Sequence, residues 1–326
     1  MNNTEITGKG NCLLCGSDSS ARAVGENTVF GERYTVCFCE SCGLYFLGAQ
    51  PSTARLEEYY ASEYYAAPEK SGIIYMLRSR FSLMRAWSQY LFMSRNMDEK
   101  GPASEKKVLE VGSSDGSLLA IFRRRGWRIR GLEYSDFSVR KAREVHHIEL
   151  EQKNIIELDP AEEKFDLIAL SHVLEHMTAP IHVLEHCKQL LKPRGRIFVE
   201  LPLAPLAREC TTEELGLYLN TTHLYDFRPA ALSSLACKAG LKTVSLDRYS
   251  YHIPGLLGKY SAAVGRAFML GALPLSRPVE LGAVLLAALT MNLQFTMKAD
   301  PMMPIDLRSP WQGFGDVLRI MLAGEK

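Results

Sequence analysis

The sequence predicts a doubly wound α/β fold with a small cysteine-rich module in front of it. Three observations support this prediction. Short apolar segments alternate with segments of helical periodicity over residues 107–250. A loop with two glycines, "GSSDG" at 112–116, follows the first of these apolar segments. Five of the eight cysteines lie within residues 12–42, ahead of the alternating region. This clustering differs from the disulfide framework of a small secreted protein.

The alternating region gives the order of the predicted elements. Strand–helix alternation of this kind predicts a sheet that binds ligands at the carboxyl ends of its strands. An amphipathic helix at 72–97 is predicted ahead of the sheet, from apolar residues three and four positions apart. Predicted strands lie at 107–112, 127–133, 165–171, 195–202, 241–250 and 313–324. Predicted helices lie at 116–125, 135–145, 179–191 and 228–240.

The N-terminal cysteines form two C-x-x-C pairs separated by 23 residues. Each pair presents two thiolates on one turn, and Gly16 and Gly43 allow a tight turn after each pair. The β-branched and aromatic residues of 28–38 predict a β-hairpin between the pairs, and Cys37 is expected to lie on its second strand as a non-ligand thiol. The pattern predicts a structural zinc ribbon over residues 9–48, because so small a module needs a metal to fold. A catalytic or nucleic-acid-binding zinc and a redox pair are the alternatives. The predicted ligands are Cys12, Cys15, Cys39 and Cys42.

The charge balance limits the partners of the chain. Its 38 basic and 37 acidic residues give a net charge of +1 over 326 residues, so no global field attracts nucleic acid or an anionic membrane. The longest uncharged run, 281–297, is shorter than the ~20 residues that span a bilayer, and it contains Asn292 and Gln294. The polar N-terminus does not resemble a signal peptide. We therefore expect a cytoplasmic protein without stable membrane insertion or a nucleic-acid partner.

The glycine loop lacks the G-x-G-x-x-G spacing of dinucleotide-binding loops. Glu110 stands just before the loop, where its charge would repel a phosphate and attract an ammonium or sulfonium cation. Glu133 ends the next predicted strand, which is the place for an acid that accepts hydrogen bonds from ribose hydroxyls. The sequence therefore predicts a ligand that carries a ribose and a positive charge.

These motifs resemble those of class I S-adenosylmethionine-dependent methyltransferases, in the subgroup with an N-terminal zinc ribbon that includes sugar C-methyltransferases and related small-molecule enzymes. That subgroup often reads E-I-G-S-N-D-G where this chain reads E-V-G-S-S-D-G at 110–116. The segments 165–180, 190–202 and 222–241 also match, so the resemblance covers nearly all of 10–250. It implies a Rossmann-like seven-stranded methyltransferase sheet, with a small zinc ribbon in front and a helical insertion before the last strand.

The resemblance also implies roles for individual residues, with S-adenosylmethionine and a structural zinc as cofactors. Glu133 takes the ribose, Asn154 and Ile155 flank the adenine, and Ser171 and His172 face the reactive methyl group. The residues expected around the methionine part of the cofactor are Glu110, Gly112, Ser113, Ser114, Asp115 and Gly116.

Methyl transfer is an in-line displacement that often needs proton removal, a task that suits histidine near neutral pH. The candidate bases are His172, His176 and His223, with His176 expected above His172 on one helical turn. In the sugar C-methyltransferases a glutamate precedes the histidine of the later loop, whereas Thr222 precedes His223 here. We therefore expect methylation of a hydroxyl oxygen. The expected acceptor is a small molecule: a sugar, a natural product or a cell-surface saccharide precursor.

Three alternatives to this function stay open. They are C-methylation of a nucleotide-linked keto sugar, methylation of an RNA base, and cofactor binding without catalysis. Nitrogen acceptors are also not excluded by the sequence.

The chain divides into four predicted parts: a zinc ribbon at 1–48, a helical lid and linker at 49–100, an S-adenosylmethionine-binding domain at 101–252, and a helical insertion with a closing strand at 253–326. Two apolar helices are predicted within 253–310, the second over 279–300. We expect them to pack on helix 72–97 as a cap over an apolar acceptor pocket. A dimer interface and a membrane surface are the alternatives, so the chain is expected to be a monomer or a homodimer.

Overall fold

The computed structural model describes residues 12, 14–17, 21–29, 32–59, 73–97, 101–203, 223–250, 297–299 and 316–324. The two helices predicted within 253–310, apart from 297–299, lie outside the described residues, and so does the predicted cap. Among the described helices, none is both long and apolar enough to cross a bilayer.

The elements follow the predicted order. The strands are β1 (Ala21–Val29), β2 (Glu32–Cys39), β3 (Tyr45–Leu47), β4 (Lys107–Val111), β5 (Arg128–Leu132), β6 (Phe165–Ser171), β7 (Leu191–Pro202), β8 (Tyr225–Asp226), β9 (Leu241–Ser250), β10 (Met297–Ala299) and β11 (Asp316–Gly324). The α-helices are α1 (Thr53–Glu58), α2 (Ile73–Arg95), α3 (Ser117–Arg124), α4 (Asp136–Lys141), α5 (Pro180–Gln189) and α6 (Pro229–Lys238).

The main sheet has the strand order β10-β9-β11-β7-β6-β4-β5. Strands β5, β4, β6 and β7 are parallel neighbours, and β11 runs antiparallel between β7 and β9. The central strands β4 and β6 are apolar runs, as expected for parallel strands covered on both faces. Because β4 and β6 are parallel and in register, the loops that follow them lie side by side at one edge of the sheet.

Helices cover both faces of this sheet. On one face, Phe92 of α2 lies 5.7 Å from Phe198 of β7, measured between ring centroids, and α3 buries Leu118 and Phe122 in the same cluster. On the other face, α5 and α6 pack against the interior of β6 and β7. Each fully buried Leu or Phe side chain contributes roughly 1.5–3 kcal/mol, so these two clusters hold the sheet edge in place.

The mixed α/β class is confirmed, but the strand arrangement differs from the predicted one at both edges. The resemblance implies a further strand just before Asn154, and this strand is reduced to a single bridge between Leu132 and Glu151. The segment around Glu151 is rich in charge, and Glu151 pairs with Arg130 instead of burying an apolar face. At the opposite edge, the short strand β10 pairs with β9. This strand falls within 279–300, so the prediction of helix up to residue 300 is wrong.

Helix α2 confirms the helix predicted at 72–97, but its buried face is rotated from the predicted one. The sequence assigns Trp87 to the apolar face, whereas Trp87 is 36% exposed and Gln89 is 2% exposed. The reason is that Gln89 finds hydrogen-bond partners in the sheet, and a buried amide with partners is stable. Helix α4 ends at Lys141, and a π-helical turn, Ala142–His146, continues it through the rest of the predicted helix 135–145.

The N-terminal strands form a second sheet, in the order β1-β2-β3-β8. The hairpin predicted between the two cysteine pairs is confirmed, since β1 and β2 pair in antiparallel register. We refer to the four clustered cysteines together with β1, β2 and β3 as the cysteine module. Its sheet continues into β8, which belongs to the segment after residue 222. The module is therefore joined to the main domain through backbone pairing.

Candidate active site

The four cysteines of the two C-x-x-C pairs lie together. The Sγ atoms of Cys12 and Cys42 are 3.6 Å apart, those of Cys15 and Cys39 are 3.5 Å apart, and all four Sγ atoms lie within 4.8 Å of one another. Cys37 is buried on β2 and stands outside this group, as predicted.

The two pairs turn in the same way. The N–H of Gly16 donates to the carbonyl of Cys12 (2.8 Å), and the N–H of Gly43 donates to that of Cys39 (2.8 Å). Both glycines have left-handed φ values, 72° and 74°, a conformation that residues with a Cβ rarely adopt. The expected role of these glycines is confirmed, and the paired turns aim all four thiols at one point.

The glycine loop follows β4 and is held in an unusual conformation. Gly112 and Gly116 have φ values of 67° and 76°, and Ser114 between them has 49°. A Cβ on Gly112 would lie 2.4 Å from Cγ2 of Val173, so only glycine fits there. Gly116 is the N-cap of α3. The loop backbone is therefore packed directly against the segment that follows β6.

Glu110 supplies an uncompensated carboxylate beneath this loop. It is 5% exposed, and its Oε2 has no hydrogen-bond partner among the described residues. Burial, and secondarily the nearby charge of Asp115, raise the pKa of Glu110 well above its ordinary value. A buried acid without a partner is costly unless a cation joins it. The site therefore fits a positively charged ligand.

Glu133 lies just after β5 with both carboxylate oxygens directed by the backbone. Its Oε2 accepts the N–H of Ser114 (2.8 Å) and its Oε1 accepts the N–H of Ser135 (2.9 Å). Burial raises the pKa of Glu133 although these hydrogen bonds act in the opposite direction. The carboxylate is thus fixed beside the glycine loop.

Asn154 and Ile155 stand at the start of a 3₁₀ turn, Ile155–Glu157. The side-chain oxygen of Asn154 accepts the N–H of Ile156, and Glu157 accepts the N–H of Asn154, which forms a capping box. Ile155 is 1% exposed. The segment approaches Glu133, whose N–H donates to the carbonyl of Glu151. Contact of this turn with an adenine remains a prediction.

His172 directly follows β6 and has a left-handed φ of 53°, a strained conformation of the kind that clusters at functional sites. Its Nδ1 lies 3.5 Å from Glu175 and its Nε2 lies 3.5 Å from Glu200. Burial lowers the pKa of His172, but these two carboxylates outweigh burial, so the pKa lies above its ordinary value. The side chain is still 28% exposed.

The other two predicted histidines join His172 in one group. The Oε1 of Glu175 is near the imidazoles of both His172 and His176, and the rings of His176 and His223 meet edge to face at 5.0 Å. The Nδ1 of His223 lies 2.6 Å from Oδ1 of Asp226. We call His172, Glu175, His176, His223 and Asp226 the histidine cluster.

The expected stacking of His176 above His172 on one helical turn is wrong. His176 ends a 3₁₀ turn, Leu174–His176, and the left-handed backbone at His172 prevents a helix from continuing through it. Instead, the imidazoles of His172 and His176 each lie near the same oxygen, Oε1 of Glu175. Burial lowers the pKa of His223, and the adjacent Asp226 more than offsets this, so the pKa of His223 is raised. The pKa of Glu175 is lowered: burial opposes ionisation and the histidines favour it more strongly.

A buried polar network supports the cluster from below. Arg319 of β11 and Glu200 of β7 are both 0% exposed, and Nε of Arg319 lies 2.5 Å from Oε2 of Glu200. The Nε2 of Gln89 donates to Oε1 of Glu200 (2.6 Å) and to Oγ of Ser171 (2.7 Å). Arg319 also donates to the hydroxyl of Ser88 (2.8 Å). Helix α2, the sheet and His172 are thereby tied together.

An apolar cavity of about 330 Å³ lies elsewhere, between the cysteine module and α5. Its walls include Leu14, Leu44, Ile181 and Phe227, and contain neither the glycine loop nor the three candidate histidines. The acceptor pocket expected under the cap involves residues outside the described part of the chain.

Comparison with known proteins agrees with this geometry. A family model for a methyltransferase domain matches residues 76–246, which is more than half of the chain. The chain belongs to this methyltransferase family. It is an S-adenosylmethionine-dependent methyltransferase.

Two relatives are named ubiquinone biosynthesis O-methyltransferase. The protein from Thiobacillus denitrificans is 30% identical over 173 residues, covering 48% of this chain and 74% of the relative. The protein from Pasteurella multocida is 32% identical over 177 residues, covering 48% of this chain and 72% of the relative. Among solved structures, a SAM dependent methyltransferase from Archaeoglobus fulgidus is similar with 15% identity and a TM-score of 0.46, covering 80% of this chain and 100% of that one.

Sequence reasoning omitted several residues that the structure brings to the site. Glu175 and Asp226 could have been found, since Glu175 precedes His176 and Asp226 stands three residues after His223. No local signal marks Glu200, Gln89 or Arg319, because their pairing joins segments 111 and 119 residues apart.

Proposed function

We propose that this methyltransferase transfers a methyl group to a hydroxyl oxygen of a small-molecule acceptor. One observation carries the proposal. The glycine loop and the histidine cluster share one edge of the sheet, with Gly112 packed against Val173, the neighbour of His172. A cofactor in the loop would lie within reach of the candidate bases, as in-line displacement requires.

We assign the cofactor to the loop residues and their acidic neighbours. Glu110 offers a buried negative charge to the cationic part of S-adenosylmethionine, and Glu133 accepts hydrogen bonds from the ribose. When bound, the cofactor supplies an electrophilic methyl group on a sulfonium. The remaining proposed contacts are Gly112, Ser113, Ser114, Asp115, Gly116, Asn154, Ile155, Ser171 and His172.

We assign proton removal to His172 or His223, with His176 as a third candidate. A neutral imidazole accepts the proton of the acceptor hydroxyl, and nearby carboxylates stabilise the resulting imidazolium. Glu175 and Glu200 serve His172 in this way, and Asp226 serves His223. The raised pKa values of His172 and His223 make each imidazole a stronger base than an ordinary histidine.

We further propose that the four clustered cysteines hold one structural zinc ion. Tetrahedral Zn–S bonds of about 2.3 Å place the sulfurs about 3.8 Å apart, close to the 3.5 and 3.6 Å seen between opposite thiols. The four thiols complete the coordination, as in structural sites. Metal analysis of freshly purified protein should find one zinc per chain, and its absence would refute this assignment.

The oxygen preference is supported by the names of the two relatives. Acceptor candidates remain sugars, saccharide precursors and natural products. The decisive test is a mass-spectrometric screen of these acceptors for S-adenosylhomocysteine release and product mass. A product methylated on carbon, or on an RNA base, would replace the oxygen proposal.

A bound divalent cation is a second way to activate the acceptor hydroxyl, and one group of side chains in the histidine cluster supports it. Glu175, His176 and His223 offer ligand atoms that all lie within 4.8 Å of one another, and both oxygens of Glu175 lack a hydrogen-bond partner among the described residues. Such a donor set fits a divalent cation that would acidify the hydroxyl. If the wild-type protein needs added Zn²⁺ or Fe²⁺ for activity, activation by a bound cation is favoured, because imidazole ligands suit these ions. Activity at full level without an added cation would favour the imidazole base.

A further inference from the structure

The cysteine module and the histidine cluster are connected by a short path of backbone hydrogen bonds. Strand β3 pairs with β8 in the register Tyr45↔Asp226 and Phe46↔Tyr225. Just beside this pairing, the N–H of Leu47 donates to the carbonyl of Leu224 at 3.1 Å. Asp226, which contacts His223, is therefore itself a member of the sheet that the module begins.

The other side of β8 is held by the segment that carries Glu175. The N–H of Leu224 donates to the carbonyl of Glu175 (2.9 Å), and the hydroxyl of Tyr225 donates to the carbonyl of Thr178 (3.0 Å). A strand of two residues has no independent stability. Its position, and with it the 2.6 Å contact between His223 and Asp226, depends on these two neighbours.

The path from the thiols to β3 is short. Only Gly43 and Leu44 separate Cys42 from the first residue of β3. The N–H of Cys39 donates to the carbonyl of Leu44 at 2.9 Å, so the second cysteine turn fixes the entry into the strand. Strand β3 also pairs with β2, which ends at Cys39. A fixed arrangement of the four thiols therefore fixes the positions of β2 and β3, the two strands that lead to β8.

We infer that the cysteine module is a positioning element for the acceptor side of the active site, because it holds β8 and thereby sets Asp226 against His223. The inference rests on the proposed role of His223 as a base. The glycine loop, Glu110 and Glu133 lie on other elements, in contact with β5, α3 and the segment after β6. Disturbing the module should therefore affect proton removal and leave cofactor binding intact.

The sharpest test removes a single hydrogen bond between the module and the β8 segment. Leu47→Pro deletes the N–H that donates to Leu224, while Leu47→Ala deletes most of the same side chain and keeps that N–H. Strand β3 retains its cysteine turn in both variants. The measurements are zinc content, calorimetric affinity for S-adenosylhomocysteine, the NMR titration of His223, and kcat against pH.

In Leu47→Pro we expect kcat to fall about 10- to 100-fold relative to Leu47→Ala, because small displacements of a base cost that much. The pKa of His223 should fall, since burial remains while Asp226 moves away, and cofactor affinity should match that of Leu47→Ala. Equal kcat and equal His223 titration in the two variants would overturn the inference. Loss of cofactor binding specific to Leu47→Pro would overturn it as well, because the module would then support the whole fold.

A second pair of variants tests the link to the metal. Cys39→Ala removes a proposed ligand, and Cys37→Ala removes a buried thiol of the same strand that stands outside the cluster. The inference predicts that Cys39→Ala loses zinc and shows the same altered titration of His223 as Leu47→Pro, whereas Cys37→Ala retains both properties. A metal-free Cys39→Ala protein with an unchanged His223 titration, or one that has lost cofactor binding, contradicts the inference.

A separate measurement, the turnover of His223→Ala, tests the proposed role of His223 as the base. If His223→Ala retains full turnover, the assignment of the base is wrong. The NMR titration of His223 in the Leu47 pair still reports whether the module positions this side chain. Conversely, a large loss in His223→Ala together with unchanged titrations in both variant pairs would keep the base and reject the positioning role.

Discussion

Replacement of Arg319 by leucine should destabilise the protein through the charge it leaves behind. Arg319 and Glu200 are both fully buried, and their ion pair of 2.5 Å is shared with Gln89. Removing one member of a buried pair costs about 3–5 kcal/mol, because the other charge loses its compensation. Domains of ordinary stability have about 5–15 kcal/mol, so Arg319→Leu should remain folded but unfold at clearly lower urea concentration.

The loss of stability in Arg319→Leu should be larger at high pH than at low pH. In the wild type, burial opposes the ionisation of Glu200 and Arg319 favours it more strongly, so its pKa is well below the ordinary value. An acid whose pKa is lower in the folded than in the unfolded protein stabilises the fold above its unfolded pKa. This stabilisation is lost as the pH falls through the folded pKa. Without Arg319 burial dominates, so the pKa of Glu200 rises and protonation relieves the penalty. The difference in free energy of unfolding should therefore be large at about pH 7.5 and smaller at about pH 5.5.

Two control variants separate charge from packing. Arg319→Lys retains the positive charge but lacks the second guanidinium nitrogen that donates to Ser88. Its free energy of unfolding should therefore fall less than that of Arg319→Leu. The double variant Arg319→Leu with Glu200→Leu removes both charges, and such replacements are often neutral or even stabilising. Urea unfolding followed by circular dichroism gives the comparison. An Arg319→Leu loss below about 1 kcal/mol, or an equal loss at both pH values, would contradict the reasoning.

Three further predictions concern the cofactor and the base. Gly112→Ala should weaken S-adenosylmethionine binding, because the left-handed backbone costs about 1–2 kcal/mol and the new Cβ displaces Val173; calorimetry with unchanged affinity would contradict it. Glu133→Ala should weaken binding at least about tenfold, since two charge-assisted hydrogen bonds of about 1.5–3 kcal/mol each are lost, and an unaltered Kd would mean that the ribose lies elsewhere. Asp226→Asn should move the acidic limb of the pH–rate profile to lower pH: only neutral His223 accepts a proton, and Asp226 contributes most to raising its pKa, ahead of Glu175. An acidic limb that stays in place would exclude His223 as the titrating base.

The sequence predicts those parts of the site that depend on local pattern. Gly112 to Gly116 and the C-x-x-C turns are short motifs whose geometry follows from glycine conformations and residue spacing. In both, the glycines have left-handed backbone conformations. The acids at the ends of β4 and β5 follow from the strand pattern in the same way, and both lie beside the loop.

The remaining parts depend on contacts between distant segments. The run "DVLRIML" at 316–322 is predicted as a strand from its apolar residues, and nothing in it indicates how Arg319 is placed. Arg319 is completely buried because Glu200 and Ser88 meet it from other elements. Strand β8 has two residues and no periodicity. It exists because β3 is placed alongside it. A third parallel strand beyond β5 does not form, because the charged Glu151 pairs with Arg130 and only a single bridge to Leu132 remains.

The buried acids of the site have pKa values shifted in opposite directions on the acceptor side and on the cofactor side. On the acceptor side, Glu175 and Glu200 have lowered pKa values because imidazoles and Arg319 face them. On the cofactor side, Glu110 and Glu133 have raised pKa values because burial outweighs the nearby charge of Arg85 and the backbone hydrogen bonds that favour ionisation. The missing positive charge is therefore on the cofactor side.

Binding of a cationic cofactor should consequently ionise Glu110 and release a proton. A cation favours the charged form of a nearby acid, so affinity should rise with pH until Glu110 is already ionised in the free protein. Calorimetry of S-adenosylmethionine in buffers of different ionisation enthalpy measures the released proton directly. Glu110→Gln has nearly the same shape without the titratable group, and it should abolish that release. Proton release of equal size in wild type and Glu110→Gln would show that the cation does not lie against Glu110.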